Sequence, residues 1–463
     1  MEYLIGIAHI YQGGRNMVKV SSLSRSINAF YVEWSALNHY LSSYECERNG
    51  VPYVGFGDPR VQKLWKGLSA QERKEVMKRW VREMKQNCRI ILPDSAKIFE
   101  EMEKYMSERK FVVVDGSSML STCYYAVLPR EIMFAKSEEE KQKHYDKILH
   151  AKDGTYTNAI FGMLKMVVSL MKKQQPDHIA FVFDRTRDTF RRELYPDYKG
   201  TRGATPEPLK SQFILMEEIL KDVGFQVLLS EQYEADDYAG SLVMKFRDEI
   251  SMILLTKDHD YLQLVNDEYN VRAWMVQSRQ EKADELYKKY YSFYGVKKEE
   301  VNLPEKVFEY TSDTVLYEEG VRPEQITDLK GIQGDPSDNI PGVKGVSSAV
   351  PPLLREYGTV EEIYRSIHEA ESDKKSLKAL QDFWKNELGI TRSPYKALTK
   401  TSDEELCGEK AALLSKTLAT MKTDIPIDME LEAFSANAYQ EEKVKNWLKT
   451  LDIKEASIFG SSK

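Results

Sequence analysis

Carboxylates recur in this sequence directly after short apolar runs. Asp115 ends FVVVD, Asp184 ends IAFVFD, and Asp258 and Asp260 follow MILL within TKDHD. Glu234, Asp236 and Asp237 stand together in YEADD, at the start of a helical pattern. Asp335 and Asp338 lie in the glycine- and proline-punctuated stretch GIQGDPSDNIPGVKG. Singly, each has an ordinary reading, because an aspartate after a strand is commonly a turn or cap residue and EADD suits a helix N-terminus. Recurrence changes this. If the apolar runs are parallel strands, these acids gather at the carboxyl edge of one sheet, where open α/β folds build their sites. Like charges so close raise one another's pKa unless divalent cations neutralise them. Oxygen donors without accompanying histidine or cysteine favour Mg²⁺, or Mn²⁺ in its place, over zinc. Two such ions about 4 Å apart can activate a water and stabilise a leaving oxygen in phosphodiester hydrolysis. His259, between Asp258 and Asp260, is expected to point away from such a site.

Directly after Asp184 the chain reads DRTRDTFRRELYPDYKGTRGATP. It carries Arg185, Arg187, Arg191, Arg192, Lys199 and Arg202 with Phe190, Tyr195 and Tyr198 interleaved. Cations can hold phosphates while aromatics stack on unpaired bases, the pattern expected for gripping a single-stranded end. A charged solvent loop is the bland alternative, and adjacency to the acidic group favours the grip.

The elements that must position these residues follow from periodicity. Five strands are expected, at Phe111–Val114, Ile179–Phe183, Gln226–Leu229, Met252–Leu255 and Asn270–Trp274. Helices are expected over Thr155–Lys173, Pro208–Val223 with Gly224 as its stop, and Ala235–Phe246. The alternation indicates an α/β fold with a mainly parallel central sheet and flanking helices, over residues 109–303. Lys136–Lys152, dense in Glu and Lys, reads as a charged surface insertion. Residues 304–455 read as helical, and 456–463 as a polar tail expected to fray. Residues 1–108 form a helix-rich extension without a chemical signature. Its clearest helix is Ser69–Asn87, with a Ser69/Glu72 capping box, an apolar stripe through Val76, Met77, Trp80, Val81 and Met84, and an ordinary mixed-charge outer face.

Bulk properties set limits. The 463 residues are 42% hydrophobic, enough for a large core or several domains, and the net charge of −7 means that nucleic-acid contacts must come from local patches. Cys46, Cys88, Cys123 and Cys407 form neither a CxxC pair nor a zinc spacing. With no signal-like leader and no apolar run of spanning length, the expectation is a reduced, cytoplasmic chain without membrane contact.

In this order, VVVDGSSML, TYTNAIFGML, AFVFDRTRDTFRRELYPDYKGTR, YEADDYAGSL, LLTKDHDYLQLV and GDPSDNIPGVKGV resemble the 5′-3′ exonuclease domain of bacterial DNA polymerase I and its flap-endonuclease relatives. The match extends over about residues 110–455. The resemblance implies a PIN-like 5′ nuclease core followed by a helix-hairpin-helix region, acting on DNA with a 5′ end or flap, RNA primers included, in replication or repair. It implies a first metal site at Asp115, Asp184, Glu234 and Asp236, and a second at Asp258, Asp260, Asp335 and Asp338, with Asp237 completing the set. Lys199 and Arg202 would be catalytic supports in an arch segment over 185–206. Arg185, Arg191, Arg192, Tyr198, Gly342, Lys344 and Gly345 would touch DNA. The hairpin text GVKGVSSAVPPLL departs from the family, since Ser347 replaces a glycine and Pro351 and Pro352 remove two amide donors. The end at Lys463 suggests a stand-alone enzyme. The alternatives are a ribonuclease on a related acidic fold and a non-catalytic scaffold derived from a nuclease.

Overall fold

The computed structural model describes residues 109–290 and 302–460. The Ser69–Asn87 helix and the rest of the N-terminal extension lie outside the described residues. Lys110–Arg247 and Ser251–Lys463 belong to one compact unit.

Its centre is a six-stranded sheet in the order β3-β2-β1-β4-β5-β6. The strands are β1 (Lys110–Asp115), β2 (His178–Val182), β3 (Gln226–Leu228), β4 (Ser251–Thr256), β5 (Val271–Val276) and β6 (Val307–Tyr310). The first five are mutually parallel, as their near-continuous apolar sequences require: every residue of β2 and β4 is buried. β6 is an unexpected strand in the region beyond Pro304, where a mostly helical chain is expected. It pairs antiparallel with β5, and Trp274 Nε1 donates to Glu309 Oε2 across the pair at 2.8 Å. Four residues, VFEY, are too few to show a period against helical neighbours.

The chain winds from β1 to β2 to β3, then crosses to β4 on the other side of β1. Strand order therefore reverses between β1 and β4, which opens a crevice at their carboxyl ends. In that register Val114 lies opposite Leu255, bringing Asp115 beside Thr256.

The helices closest to the crevice are α1 (Gly116–Ala126), α2 (Asn158–Ser169), α3 (Glu207–Asp222), α4 (Ala235–Phe246), α5 (Ile326–Gln333) and α6 (Val350–Tyr357). α1 to α3 bury Leu120, Met163 and Leu220 against Val112, Val114, Ile179 and Phe181 of the sheet. α5 and α6 share a second cluster with β5 and β6, in which Ile332 and Leu353 meet Met275 and Phe308. α6 begins at Val350, so Pro351 and Pro352 fall in its first turn, where missing amides cost no helical bond. The Lys136–Lys152 insertion forms a short helix, Glu138–Gln142, capped by Ser137, with exposed pairs such as Lys147–Glu131 at 2.7 Å.

Near the C-terminus α7 (Glu441–Thr450) and α8 (Glu455–Phe459) return to the sheet. The expected fraying of the tail is corrected through Gly460: Ile458 is buried in the main core with Val444 and Leu448, and the Lys172 ammonium sits 4.5 Å above the Phe459 ring. Gly224, at φ +105°, ends α3 so close to the Ala438 carbonyl that any Cβ would collide with it. Only glycine satisfies both demands. We predict that Ile458→Ala lowers unfolding free energy by about 2–4 kcal/mol in urea titration. A fraying tail would give no change.

Candidate active site

The acidic residues take their places from the strand ends. Asp115 closes β1, with Oδ1 accepting from Ser118 N at 2.9 Å and Oδ2 from Thr256 Oγ1 at 2.7 Å. Burial raises its pKa from 3.8 to about 7, with Asp184 and Asp258 adding repulsion against the two hydrogen bonds. Asp184 follows β2 and is exposed; its amide donates to Ser117 Oγ at 2.8 Å and its Oδ1 accepts from Ala235 N at 2.9 Å. Asp236, in the first turn of α4, keeps a buried Oδ1 without a hydrogen-bond partner. Burial, reinforced by Glu234 and Asp237 against the pull of Arg191 and Lys199, raises its pKa well above the carboxylate range. Asp258, after β4, is also raised by burial, with Lys330 opposing and Asp338 reinforcing, and its Oδ1 accepts from Asp260 N at 2.9 Å.

The remaining acids already hold cations. Lys199 Nζ lies 2.9 Å from Glu234 Oε2 and 3.6 Å from Asp338 Oδ2, and Arg202 pairs with Asp338 Oδ1. Lys330, on α5, bridges Asp260 and Asp335, the latter at 2.7 Å. Burial pushes Asp335 up, but the Lys330 ammonium and the Ser337 hydrogen bonds outweigh it and bring its pKa down to about 2. Lys330 was missed by sequence reasoning because one lysine on an amphipathic helix has no distinguishing signal. Lys199 adopts φ +53°, a left-handed conformation that strains a side-chain-bearing residue, and its amide donates to the Asp338 carbonyl at 2.8 Å.

Several expected site residues turn inward. Asp237 is fully buried, completes a capping box with Glu234, and forms a bidentate pair with Arg191 at 2.7 and 2.8 Å. Arg191 is itself only 1% exposed, and its Nε donates to the Leu418 carbonyl at 3.0 Å. It has no surface for a phosphate. Tyr198 is buried against Ile340 and Leu418, its hydroxyl 3.2 Å from both Glu234 and Asp338, so it does not stack on bases. Gly342, at φ +59°, spends its amide on Ser415 Oγ at 2.9 Å rather than on DNA. Asp237, Arg191 and Tyr198 turn inward because the segment after β2 folds down onto α4 and the 335–340 loop, whereas Gly342 is held by Ser415 of the helix Gly408–Ala419. Arg185, Arg192, Lys344 and Gly345 stay at or near the surface. Arg185 reaches Glu217 at 3.7 Å, Arg192 reaches Asp188 at 2.6 Å, and Lys344 reaches Glu405 at 3.6 Å. The exposed His259 ring lies 3.5 Å from Glu319.

A cavity of about 1970 Å³ joins these groups. Asp115, Asp184, Glu234, Asp236, Asp258, Asp260 and Asp335 line it, together with Lys199, Arg202 and Lys330, whereas Asp237 and Asp338 stand behind its wall. Among the described residues no three acidic, histidine or cysteine side chains close into a finished ion cage. The donor set nevertheless fits a hard cation. Asp115, Asp184, Asp236 and Asp258 form no ion pair among the described residues, offer only oxygen, and include the orphaned Asp236 Oδ1. Mg²⁺ needs few protein ligands because it keeps several waters.

Two family models match the chain: the N-terminal resolvase-like domain of 5′-3′ exonucleases over residues 110–292, and their C-terminal SAM fold over 321–442. The chain belongs to the 5′-3′ exonuclease family. It is 31% identical over 346 residues to DNA polymerase I of Bacillus caldotenax, a match covering 74% of this chain and 31% of that protein. DNA polymerase I of Bacillus subtilis (strain 168) is 30% identical over 342 residues, covering 73% of this chain and 31% of the relative. The chain thus spans under a third of the length of these polymerases. Among solved structures, T5 5′-exonuclease with bound divalent zinc aligns over 74% of this chain and 99% of that one, at 19% identity and a TM-score of 0.41. Among the described residues no helix is long and apolar enough to cross a membrane.

Two outcomes are expected. Arg191→Met leaves Asp237 buried without its counter-charge and should cost about 3–5 kcal/mol in chemical denaturation; an unchanged midpoint would remove Arg191 from the structural role. In EDTA, Asp115 favours the folded state below pH 3.8, where it is protonated in both states, and loses that contribution as pH rises towards about 7. Asp115→Asn should therefore flatten the decline in melting temperature over that window. An unaltered profile would mean that Asp115 is ionised throughout.

Proposed function

We propose that this chain is a metal-dependent 5′ nuclease that hydrolyses phosphodiester bonds at 5′ ends or flaps of DNA, RNA primers included, in replication or repair in the cytoplasm. The observation that carries this reading is the division of charge within one cavity. Carboxylates without counter-ions, Asp115, Asp184, Asp236 and Asp258, face the same space as the cations Lys199, Arg202 and Lys330. Burial raises the pKa of Asp115, Asp236 and Asp258 in the absence of a counter-ion, a cost that a bound divalent cation would relieve.

In this reading Asp115, Asp184, Asp236 and Asp258 hold the ions, with Glu234, Asp260, Asp335 and Asp338 orienting the cations around them. Bound Mg²⁺, or Mn²⁺ in its place, supplies the charge that activates water at neutral pH and stabilises the leaving oxygen. Lys199 is held charged, because Glu234 and Asp338 outweigh the burial that opposes its protonation. It and Arg202 can exchange carboxylates for phosphate oxygens and stabilise the charge that develops on them. Arg202, at 41% side-chain exposure, is the more accessible of the two. Arg185 and Arg192 guide the strand entering the cavity, while Lys344 and Gly345 meet duplex phosphates on the α5–α6 side.

The test is single-turnover cleavage of a 5′-labelled flap duplex and a matching blunt duplex, in Mg²⁺ and in EDTA. Metal-dependent release is expected from wild type, with Asp184→Ala inactive and Lys199→Ala slower by about 10²–10³-fold. A variant cleaving at the wild-type rate loses its place in the site. Folded wild type that binds both duplexes and cleaves neither would sink the enzyme reading in favour of a scaffold.

A further inference from the structure

Tyr261 lies on the short 3₁₀ turn His259–Leu264 that follows Asp258. Its side chain is 1% exposed, yet it lines the acidic cavity. Burial raises its pKa well above the ordinary phenol value, and the neighbouring carboxylates of Asp115, Asp236, Asp184 and Asp258 add to that rise. Its hydroxyl finds no protein hydrogen-bond partner. One neighbour shares that condition, because Asp236 Oδ1 is also buried and unpartnered. The two atoms are complementary, one an O–H donor and the other an acceptor. Their residues both line the cavity, and the two buried atoms do not bond to each other. A water reaching both would accept from Tyr261 and donate to Asp236.

From this juxtaposition we propose that Tyr261 is a positioning residue of the candidate nuclease site: its hydroxyl, together with Asp236, fixes a water in the hydration shell of a divalent cation held by Asp115, Asp184 and Asp236. The proposal rests on the metal-dependent reading above. Groups one step removed from a metal hold its ligands in orientation and tune affinity. A hydroxyl suits this place better than a cation would, because it donates a hydrogen bond without competing with the metal for the carboxylates. Packing alone does not account for the tyrosine, since phenylalanine would fill the same volume without leaving a buried hydroxyl unsatisfied.

The variants Tyr261→Phe and Tyr261→Leu, made in the full chain, separate these roles. Mn²⁺ binding is measured by titration calorimetry without DNA, and single-turnover flap cleavage is measured in parallel. Tyr261→Phe is expected to melt at or above the wild-type temperature. Its Mn²⁺ dissociation constant should rise about 10-fold, and its cleavage rate at subsaturating metal should fall by about 10–100-fold and recover largely at high metal. Tyr261→Leu should show the same metal defect with an added loss of stability from the missing ring. Wild-type Mn²⁺ affinity in Tyr261→Phe overturns the proposal, as does a wild-type protein that binds no Mn²⁺. If wild type binds Mn²⁺ without cleaving, the nuclease reading fails separately, and Tyr261 is then judged on the calorimetric arm alone.

Discussion

Carboxylates that meet at one sheet edge repel one another, and the burial of that edge makes the repulsion expensive. At an effective dielectric of about 20, two unit charges 4 Å apart interact by about 4 kcal/mol. The structure answers with two devices. Glu234, Asp237, Asp260, Asp335 and Asp338 are matched to Arg191, Lys199, Arg202 and Lys330. Asp115, Asp236 and Asp258 are instead raised in pKa by burial, which favours their neutral form. The cations come from two places remote in sequence, the segment after β2 and helix α5. Neutralisation and tertiary structure are therefore one requirement: the ion pairs tie the 185–206 segment, α4 and the 335–340 loop together around the cavity.

The topology determines where this happens. A reversal of strand order between β1 and β4 opens the crevice, and the register of that pair sets Thr256 against Asp115. Thr256 Oγ1 then serves two groups, donating to Asp115 and accepting from Asp258 N at 3.0 Å. One hydroxyl thus fixes both sides of the switch point. Both contacts are made from the end of a core strand, which suits a site whose groups must be held to within a fraction of an ångström.

Much of this was legible from sequence because strands and carboxylates are locally encoded. The five parallel strands lie where the apolar runs are, and α4 spans Ala235–Phe246 as its periodicity indicates. Acidic residues after strands could be placed at one edge without knowing the strand order. Direction was not legible. Arg191 and Arg192 are adjacent and chemically identical, yet one is buried against Asp237 and the other lies near solvent. What separates them is the five-residue helix Phe190–Leu194, too short to carry a period. The same holds for Asp236 and Asp237, neighbours on α4 that meet different surroundings: Asp236 lines the cavity, and Asp237 caps the helix and binds Arg191. Lys330 and Tyr261 are residues of common type whose meaning comes only from distant partners.

Protonation and ion binding are opposed within the unpaired group. Burial, which raises the Asp115 pKa to about 7, favours its neutral form while no cation is bound. That same proton must leave when a divalent ion binds, because the ligand form of a carboxyl is its anion. Asp335 faces no such exchange, since the Lys330 ammonium and the Ser337 hydrogen bonds hold it ionised down to a pH of about 2. The two halves of the site are therefore built differently. Asp260 and Asp335 are tied to Lys330 by ion pairs, whereas Asp115, Asp236 and Asp258 have no such partner and are raised in pKa by burial. If the second half takes a divalent ion, as proposed, binding there releases protons and is weakened by acid.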